Sequence, residues 1–355
     1  MKKLFAMATL FLVAMSLQAR SVLVATLYHT ANDSTSVYYG IEAFKNAYDA
    51  STHGDVITLS SGAFTACDIT KEITIRGAGM EADTINHIAP TILLGDFSID
   101  AQTTSGYCLT MEGVYHDGTI TLGYADYTYL SNCINPHFIK CRFENIRTDS
   151  SAPGGYATLI DASFTQCRIK GDISIYGNAS FYNCIVNEPS SRSTNRNKAN
   201  YEFINCVVVG SFAGEAVNNS IFYNCALTGS NPLDATNVAH HCVGYYYGGS
   251  TENTNLFSNL SAAMRETNHS FTSADAIFKT FIGGSANVTD TETFELQDSI
   301  KTKYLGSDST QVGIYGGPAP FSPKTTLPVV SRFKVASKSD ESGKLKVEMQ
   351  VNTPQ

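Results

Sequence analysis

Cysteine is the residue type of this chain whose spacing most readily indicates chemistry. The chain has nine cysteines, and thiols can form disulfides, bind a soft metal ion or act as nucleophiles. Five of them end a Phe-x-x-Cys unit, and these are Cys141, Cys167, Cys184, Cys206 and Cys225. Successive units are 26, 17, 22 and 19 residues apart, and Cys242 follows after another 17 without the phenylalanine. A drifting period of about 20 residues is typical of a solenoid whose coils carry loops of varying length.

The spacing within each unit predicts a bend in the backbone. Side chains alternate between faces along a strand, so Phe and the Cys three residues later share a face only if the chain bends between them. The residue before Cys is Asn183, Asn205 and Asn224 in three successive units, and Asn tolerates left-handed dihedrals. We therefore predict cysteines stacked in the core as small hydrophobes and asparagines stacked as an amide ladder.

Acidic residues in consecutive early segments offer a second kind of chemistry. Asp96, Asp100, Asp117 and Asp126 could be brought together by coil stacking, and converging oxygen ligands are what calcium requires. The alternative is that these carboxylates lie on separate solvated turns. Calcium is the cofactor for which the sequence offers a candidate site.

Two further segments are candidates for ligand binding. Tyr245, Tyr246 and Tyr247 precede two glycines and could form a sugar-stacking loop, although packing against the coil flank is the other interpretation. Arg192 and Arg196 lie in a basic, polar insertion between two coils, which is either a binding loop or a solvated one.

Composition limits the function classes. The formal net charge is -8 and no basic stripe is present, so nucleic acid is not an expected partner. Residues 1–19 have a basic start and a short apolar run, as in a signal peptide, with a buried N-terminal helix as the alternative. Removing Lys2 and Lys3 leaves 22 basic and 32 acidic residues, a net charge of -10. No later segment is long and apolar enough to span a membrane, so we expect an exported protein.

The predicted fold is an all-β, right-handed parallel β-helix over residues 20–320. Helical spacing of Ile41, Phe44, Ala47 and Tyr48 predicts a short capping helix near 40–50. Prolines then mark a linker, and two alternating segments at 329–336 and 344–351 predict a terminal β-hairpin within 321–355. An isolated hairpin is marginal in water, so it should pack on the coils, on a second copy or on another partner.

Two motifs carry a resemblance to a known family. A Gly54-Asp55-x-Ile-x-Leu segment is followed by an Ile-x-Ile-x-Gly-x-Gly segment ending at Gly79, and a Gly-Ile-Tyr-Gly-Gly segment ends at Gly317. With the preceding helix, these motifs resemble the opening and close of pectin-lyase-like β-helix proteins. The chain has Gln311 near the acidic position that precedes the closing motif in many members. The resemblance covers roughly residues 37–320. It is specific for fold but weak for function, because this fold carries many activities.

The resemblance implies a calcium site and a basic catalytic residue for the lyases of the family, yet their catalytic motifs are missing. Arg168, Ile169 and Lys170 match an Arg-Ile-Lys element of the related hydrolases, without the Asp-containing and Gly-His-Gly elements that accompany it. The Arg-Pro-x-x-Arg element of many pectate lyases is also absent. We interpret Ile169 as facing inward and Arg168 and Lys170 as solvated.

A complete structural repeat without a complete catalytic set favours a non-catalytic exported or cell-surface protein that binds a glycan or a protein. The first alternative is a polysaccharide lyase or glycoside hydrolase with an unfamiliar site. The second is a structural component that assembles through the terminal hairpin. The sequence leaves the oligomeric state open.

The stacking interpretation predicts free thiols. Titration of the unfolded, unreduced protein with a thiol reagent should recover every cysteine of the five units, because their spacing places them on successive coils as packing residues. Recovery of a single thiol would instead mean that the units are joined by disulfides.

Overall fold

The computed structural model describes residues 22–85, 88–101, 106–123, 135–148, 160–175, 177–187, 189, 200–212, 217, 219–248, 255–281, 292–324, 329–335, 338–339, 342–344 and 346–352. The strands are β1 (Val24–His29), β2 (Ser34–Tyr39), β3 (Asp55–Leu59), β4 (Gly62–Thr65), β5 (Ile73–Arg76), β6 (Thr91–Leu94), β7 (Phe97–Ile99), β8 (Leu109–Glu112), β9 (Val114–Leu122), β10 (Pro136–Ile139), β11 (Arg142–Thr148), β12 (Ile160–Thr165), β13 (Arg168–Ile169), β14 (Ile173–Ser174), β15 (Gly177–Tyr182), β16 (Ile185–Asn187), β17 (Asn200–Ile204), β18 (Val207–Gly210), β19 (Ile221–Tyr223), β20 (Ala226–Gly229), β21 (Val238–His240), β22 (Val243–Tyr246), β23 (His269–Phe271), β24 (Val329–Val335) and β25 (Val347–Asn352). The helices are α1 (Ala43–Ala50), α2 (Ala262–Thr267), α3 (Asp298–Lys303) and a 3-10 turn (Ala274–Ala276).

Two long sheets make up the architecture. Sheet A has eleven strands in the order β2-β1-β3-β5-β8-β10-β12-β15-β17-β19-β21. Sheet B has twelve strands, with β23-β22-β20-β18-β16-β13-β11-β9-β6-β4 as its main path. From β3 onward the strand pairs of both sheets are parallel, and the chain alternates between the sheets. The fold is therefore all-β with long parallel sheets, an arrangement consistent with a β-helix or solenoid.

A left-handed residue joins each sheet A strand to the next sheet B strand in the Phe-x-x-Cys coils. Asn183, Asn205 and Asn224 have φ values of 52°, 52° and 56°. Lys140, Gln166 and His241 occupy the same position in other coils, with φ of 49°, 54° and 55°. The structure thus has the bend predicted from the three asparagines, and it extends the bend to three coils where the residue type did not indicate it.

The bend points phenylalanine and cysteine into the same core. Phe138, Phe164, Phe181, Phe203 and Phe222 form one column, with successive ring centroids 4.8–5.0 Å apart. Each thiol donates to a carbonyl of the preceding coil, as from Cys184 Sγ to Phe164 O at 3.4 Å. The eight described cysteines are free thiols, and Cys133 lies outside the described residues. Burial raises the pKa of Cys141, Cys167 and Cys184 well above the usual range, which keeps these thiols protonated.

The first coil is closed by α1 and by the antiparallel hairpin of β1 and β2. Phe44, Ala47 and Tyr48 of α1 are buried, whereas Ile41 lies before the helix and is exposed. The expectation that Ile41 belongs to the buried helix face was wrong, because the helix begins at Ala43. Asp55 is buried at the start of β3 and accepts hydrogen bonds from His29, Thr30 and Thr52. Burial acts to raise the pKa of Asp55, but the donated hydrogen bonds hold it below the usual range.

A covering layer, residues 274–281 and 292–324, packs on the outer face of sheet B. Its buried side chains include Phe278, Phe294, Leu296, Ile300, Val312, Ile314 and Phe321. They meet the outward-facing side chains Ile185, Val207, Val209, Ala226 and Val243 of sheet B. Both faces of these sheet B strands are therefore buried.

The last part of the covering layer, residues 305–324, is a strap that runs along the column of left-handed residues. Ser307 N donates to Asn224 Oδ1 at 2.9 Å, and Asn183 Nδ2 donates to Ile314 O and Gly316 O at 3.0 and 2.8 Å. Gln166 Nε2 and Lys140 Nζ then donate to Ala319 O and Lys324 O, each at 3.1 Å. The side chains of Asn183 and Asn224 thus form hydrogen bonds with the strap, whereas the sequence predicted that the asparagines would stack on one another as an amide ladder.

We expect Gly317→Ala to destabilise the protein by about 3 kcal/mol, because Gly317 has φ 73° and an added Cβ would overlap Asn205 Nδ2. Gly106→Ala is the matched control, since Gly106 has φ 77° and open space around its Cα. The control should lose only the backbone cost of about 1 kcal/mol. Urea unfolding followed by circular dichroism measures both, and equal losses would contradict tight packing of the strap on Asn205.

Candidate functional site

Among the residues that the structure describes, the outer face of sheet A lies outside the covering layer. Along β12, β15 and β17 the side chains alternate between buried and partly exposed positions. The buried ones, such as Phe164, Phe181 and Phe203, belong to the core. The partly exposed ones face away from the core, because successive side chains of a strand point to opposite faces.

Two adjacent columns of side chains run across this outer face. The first column holds the residues just before the bends, and they are Ile139, Thr165, Tyr182, Ile204, Tyr223 and His240. The second column holds the residues two positions earlier, and they are His137, Ser163, Ser180, Glu202, Ile221 and Val238. We call these the aromatic column and the hydroxyl column. The aromatic column is rich in aromatic and aliphatic residues. It lies beside the hydroxyl column, whose first four residues carry hydrogen-bonding groups.

Aromatic rings are the largest groups on this face. Tyr182 is exposed, and the ring of Tyr223 stacks on His240 with centroids 5.7 Å apart and planes 13° apart. Tyr107 is also exposed and lies 4.5 Å from the ring of His137. Tyr182 and Tyr223 are two strands apart in sheet A, which corresponds to about 10 Å.

The polar groups of the hydroxyl column are oriented toward the aromatic column. Glu202 Oε2 accepts hydrogen bonds from Ser180 Oγ and Tyr182 Oη, each at 3.5 Å. His137 Nε2 lies 3.4 Å from Thr165 Oγ1. These distances are at the long end of the hydrogen-bonding range, so the same groups can also bond a ligand.

Electrostatics leave this face with little positive charge. Burial lowers the pKa of His137, so its imidazole is neutral at pH 7. Burial raises the pKa of the Tyr182 phenol and the Glu202 carboxylate raises it further, so Tyr182 is neutral as well. Arg76 and Glu112, which continue the aromatic column toward β5, form an ion pair at 3.9 Å. Glu202 therefore supplies the formal charge of the two columns.

Two glutamates associated with the two columns lie far apart. Glycoside hydrolases place two carboxyl groups about 5–10 Å apart across the scissile bond. Glu112 and Glu202 lie on β8 and β17, four strand spacings apart, which corresponds to about 19 Å. These two carboxylates of the outer face cannot act on the same bond.

The three tyrosines predicted as a sugar-stacking loop are half-buried. Tyr245 packs against the cluster under the covering layer, and Tyr246 packs against the main core. The rings of Tyr245 and Tyr247 are 6.4 Å apart. Their surroundings correspond to the packing interpretation. Arg192 and Arg196 lie outside the described residues.

The predicted acidic residues occupy different local environments. Asp96 Oδ1 accepts a hydrogen bond from Thr119 N at 2.8 Å, and Asp117 is exposed. Asp100 is half-buried, and burial raises its pKa. Among the residues that the structure describes, no three His, Cys, Asp or Glu side chains form a group able to hold a metal ion. Asp126 lies outside those residues, so calcium binding stays a prediction.

Arg168 differs from its interpretation as a solvated residue. Ile169 faces inward as expected, but Arg168 is only 5% exposed. Its Nε lies 3.1 Å from Glu81 Oε1, and its guanidinium lies 6.0 Å from the ring of Phe321 in the strap. The expectation was wrong because the strap, distant in sequence, covers this part of sheet B.

Comparison of the chain with protein-family models, with curated proteins and with solved structures found no match in any of the three. Within the described residues, no helix has both the length and the hydrophobicity to cross a membrane.

The aromatic column was not predicted from the sequence, although a signal for it was present. Tyr182 and Tyr223 are the second residues of two Phe-Tyr-Asn-Cys units. Since the phenylalanine faces inward, alternation places the residue after it on the outer face. The repeat that predicted the core therefore also contained the column of outward residues.

We expect Arg168→Met to destabilise the protein by about 2 kcal/mol, because it leaves the Glu81 carboxylate without its closest ion-pair partner in a covered site. Arg76→Met is the control, since its ion pair with Glu112 is longer, at 3.9 Å, and more exposed. That change should cost no more than about 0.5 kcal/mol. Equal shifts of the two variants in thermal unfolding would show that the strap does not shield the Arg168 pair.

Proposed function

We propose that this chain is an exported right-handed parallel β-helix that binds a neutral polysaccharide on the outer face of sheet A without cleaving it. The observation that carries the proposal is the aromatic column lying directly beside the hydroxyl column. The two columns together form a ribbon that crosses successive strands.

Such a ribbon is complementary to a chain of sugar rings. A pyranose ring has an apolar C–H face and a rim of hydroxyl groups. A tyrosine ring can stack on the apolar face, and serine hydroxyls and a carboxylate can bond the rim. The spacing of about 10 Å between Tyr182 and Tyr223 is on the order of the length of two linked sugar units. Two tyrosines can therefore engage alternate sugars of one chain.

Charge favours a neutral ligand over an acidic one. The chain has 24 basic and 32 acidic residues, and Glu202 lies within the ribbon itself. A polyanion would be repelled by this carboxylate and would find a neutral imidazole at His137. Acidic polysaccharides are thus disfavoured at this face.

The finer fold assignment and the location rest on general rules and on the sequence. Parallel crossovers are right-handed in about 98% of known cases, which supports a right-handed coil. The closing motif carries part of the resemblance to pectin-lyase-like proteins. Its glycines belong to the strap, so these residues have a structural role. The signal-peptide features of residues 1–19 support export to the periplasm, the cell surface or the medium.

Binding of short oligosaccharides, measured by calorimetry, tests the proposal. We expect neutral oligosaccharides of one class to bind and acidic ones not to bind. Tyr182→Ala and Tyr223→Ala should each weaken binding by about tenfold, because each removes one stacking platform. Tyr39→Ala, an exposed tyrosine outside both columns, should leave binding unchanged.

The same samples distinguish the alternatives. Release of new reducing or unsaturated ends would establish the hydrolase or lyase alternative instead. Binding restricted to acidic oligosaccharides, or binding that is insensitive to both tyrosine variants, would contradict the proposed face.

A further inference from the structure

The strand β2 leaves an open edge at the start of sheet A. Within the part of the chain that the structure describes, it is the terminal strand of the sheet and pairs with β1 alone. Its sequence is Ser-Thr-Ser-Val-Tyr-Tyr. Charged residues and prolines usually protect an edge strand from pairing, and this strand has neither. Val37 and Tyr39 are 47% and 67% exposed. This edge is therefore suited to pairing with another strand.

The opposite end of the stack is closed. Asn268, which follows α2, accepts a hydrogen bond from Cys242 N at 2.8 Å and donates one to Ala239 O at 2.7 Å. Leu256, Phe257 and Leu260 are buried over the last coil. The two ends of the stack thus differ, and the end at β2 is the one whose edge can accept an added strand.

The terminal hairpin of β24 and β25 has exposed apolar side chains and a net charge opposite to that of the rest of the chain. Its register pairs Phe333 with Met349 and Val335 with Val347. Val347 and Val351 are 52% and 45% exposed. Residues 325–355 carry five basic and three acidic side chains, whereas residues 20–324 carry 17 basic and 29 acidic ones. A cationic apolar hairpin thus belongs to an otherwise acidic molecule.

The hairpin cannot pair with β2 of its own chain. The strap ends at Lys324, which accepts a hydrogen bond from Lys140 beside β10. A strand added beyond β2 lies six strand spacings from β10, which corresponds to about 29 Å. The five peptide units from Lys324 to Val329 span at most about 17 Å. Reaching the open edge therefore requires a second copy.

We infer that the terminal hairpin of one chain pairs with the β2 edge of a second copy, so that the molecules assemble head to tail. Strand addition satisfies the open edge, and the opposite charges of Asp33 and Glu42 near β2 and of the hairpin favour the contact. Because the two surfaces are different, the contact is heterologous and repeats from copy to copy, which gives open chains or closed rings. This inference does not depend on glycan binding.

Sedimentation of the chain from residue 20 onward tests the inference. We expect assemblies that grow beyond dimers with concentration. V37K/Y39K and V347E/V351E should each weaken self-association by at least about tenfold, because each adds charge that repels the partner surface. Ile85→Lys, at another exposed apolar residue, should behave as the unmodified chain.

Mixing the two double variants gives the decisive measurement. Each retains one intact surface that the other lacks, so the mixture should form a one-to-one dimer that does not grow. All four substitutions are at exposed side chains. The single variants Tyr39→Lys and Val351→Glu check folding, because their circular dichroism spectra should be unchanged. A monomeric unmodified chain, growth that stops at two, or a mixture that fails to pair would overturn the inference.

Discussion

Everything else in this structure depends on one left-handed residue per coil, placed between phenylalanine and cysteine. Without that bend, the alternation of side chains would put the phenylalanine of sheet A and the cysteine of sheet B on opposite faces. With it, both point inward, and each coil adds one ring and one thiol to continuous columns. Asparagine meets this requirement at low cost in three coils, while Lys140, Gln166 and His241 adopt the same dihedrals in others. Packing of the columns therefore holds these three residues in a conformation that they do not favour.

The same bend also determines what happens outside the core. It turns the side chains of residues 166, 183 and 224 toward the strap, which forms hydrogen bonds with all three and runs back along the stack. The strap and the rest of the covering layer bury the outward-facing side chains of β16, β18, β20 and β22, and the strap covers Arg168 of β13. The described residues of the covering layer do not extend over the outer face of sheet A, and its outward residues form two ordered columns because the register is constant from coil to coil. Core stacking, strap binding and the candidate site thus share one cause.

The repeat could be predicted because its signals are local. A Phe-x-x-Cys spacing, an asparagine at the bend and an apolar residue two after Cys are all contained in one short segment. The hairpin of β24 and β25 was equally local, since alternation and a polar turn indicate it. The hairpin of β1 and β2 was missed, and the capping helix was expected to include Ile41, which precedes it. These errors occur at the end of the stack, where no repeat constrains the interpretation.

By itself, the sequence determined the coil, its inward residues and the position of the bend, because these follow from the periodicity of neighbouring residues. Tertiary structure decided which outward residues are buried. Ile204 and Val207 lie in the same coil, both apolar and both facing away from the core, yet Val207 is buried under the covering layer and Ile204 lies on the open face. Likewise, Arg76 stays at the surface while Arg168 is enclosed. The difference comes from a segment about 100 residues further along the chain, and contacts over such separations leave no local pattern in the sequence.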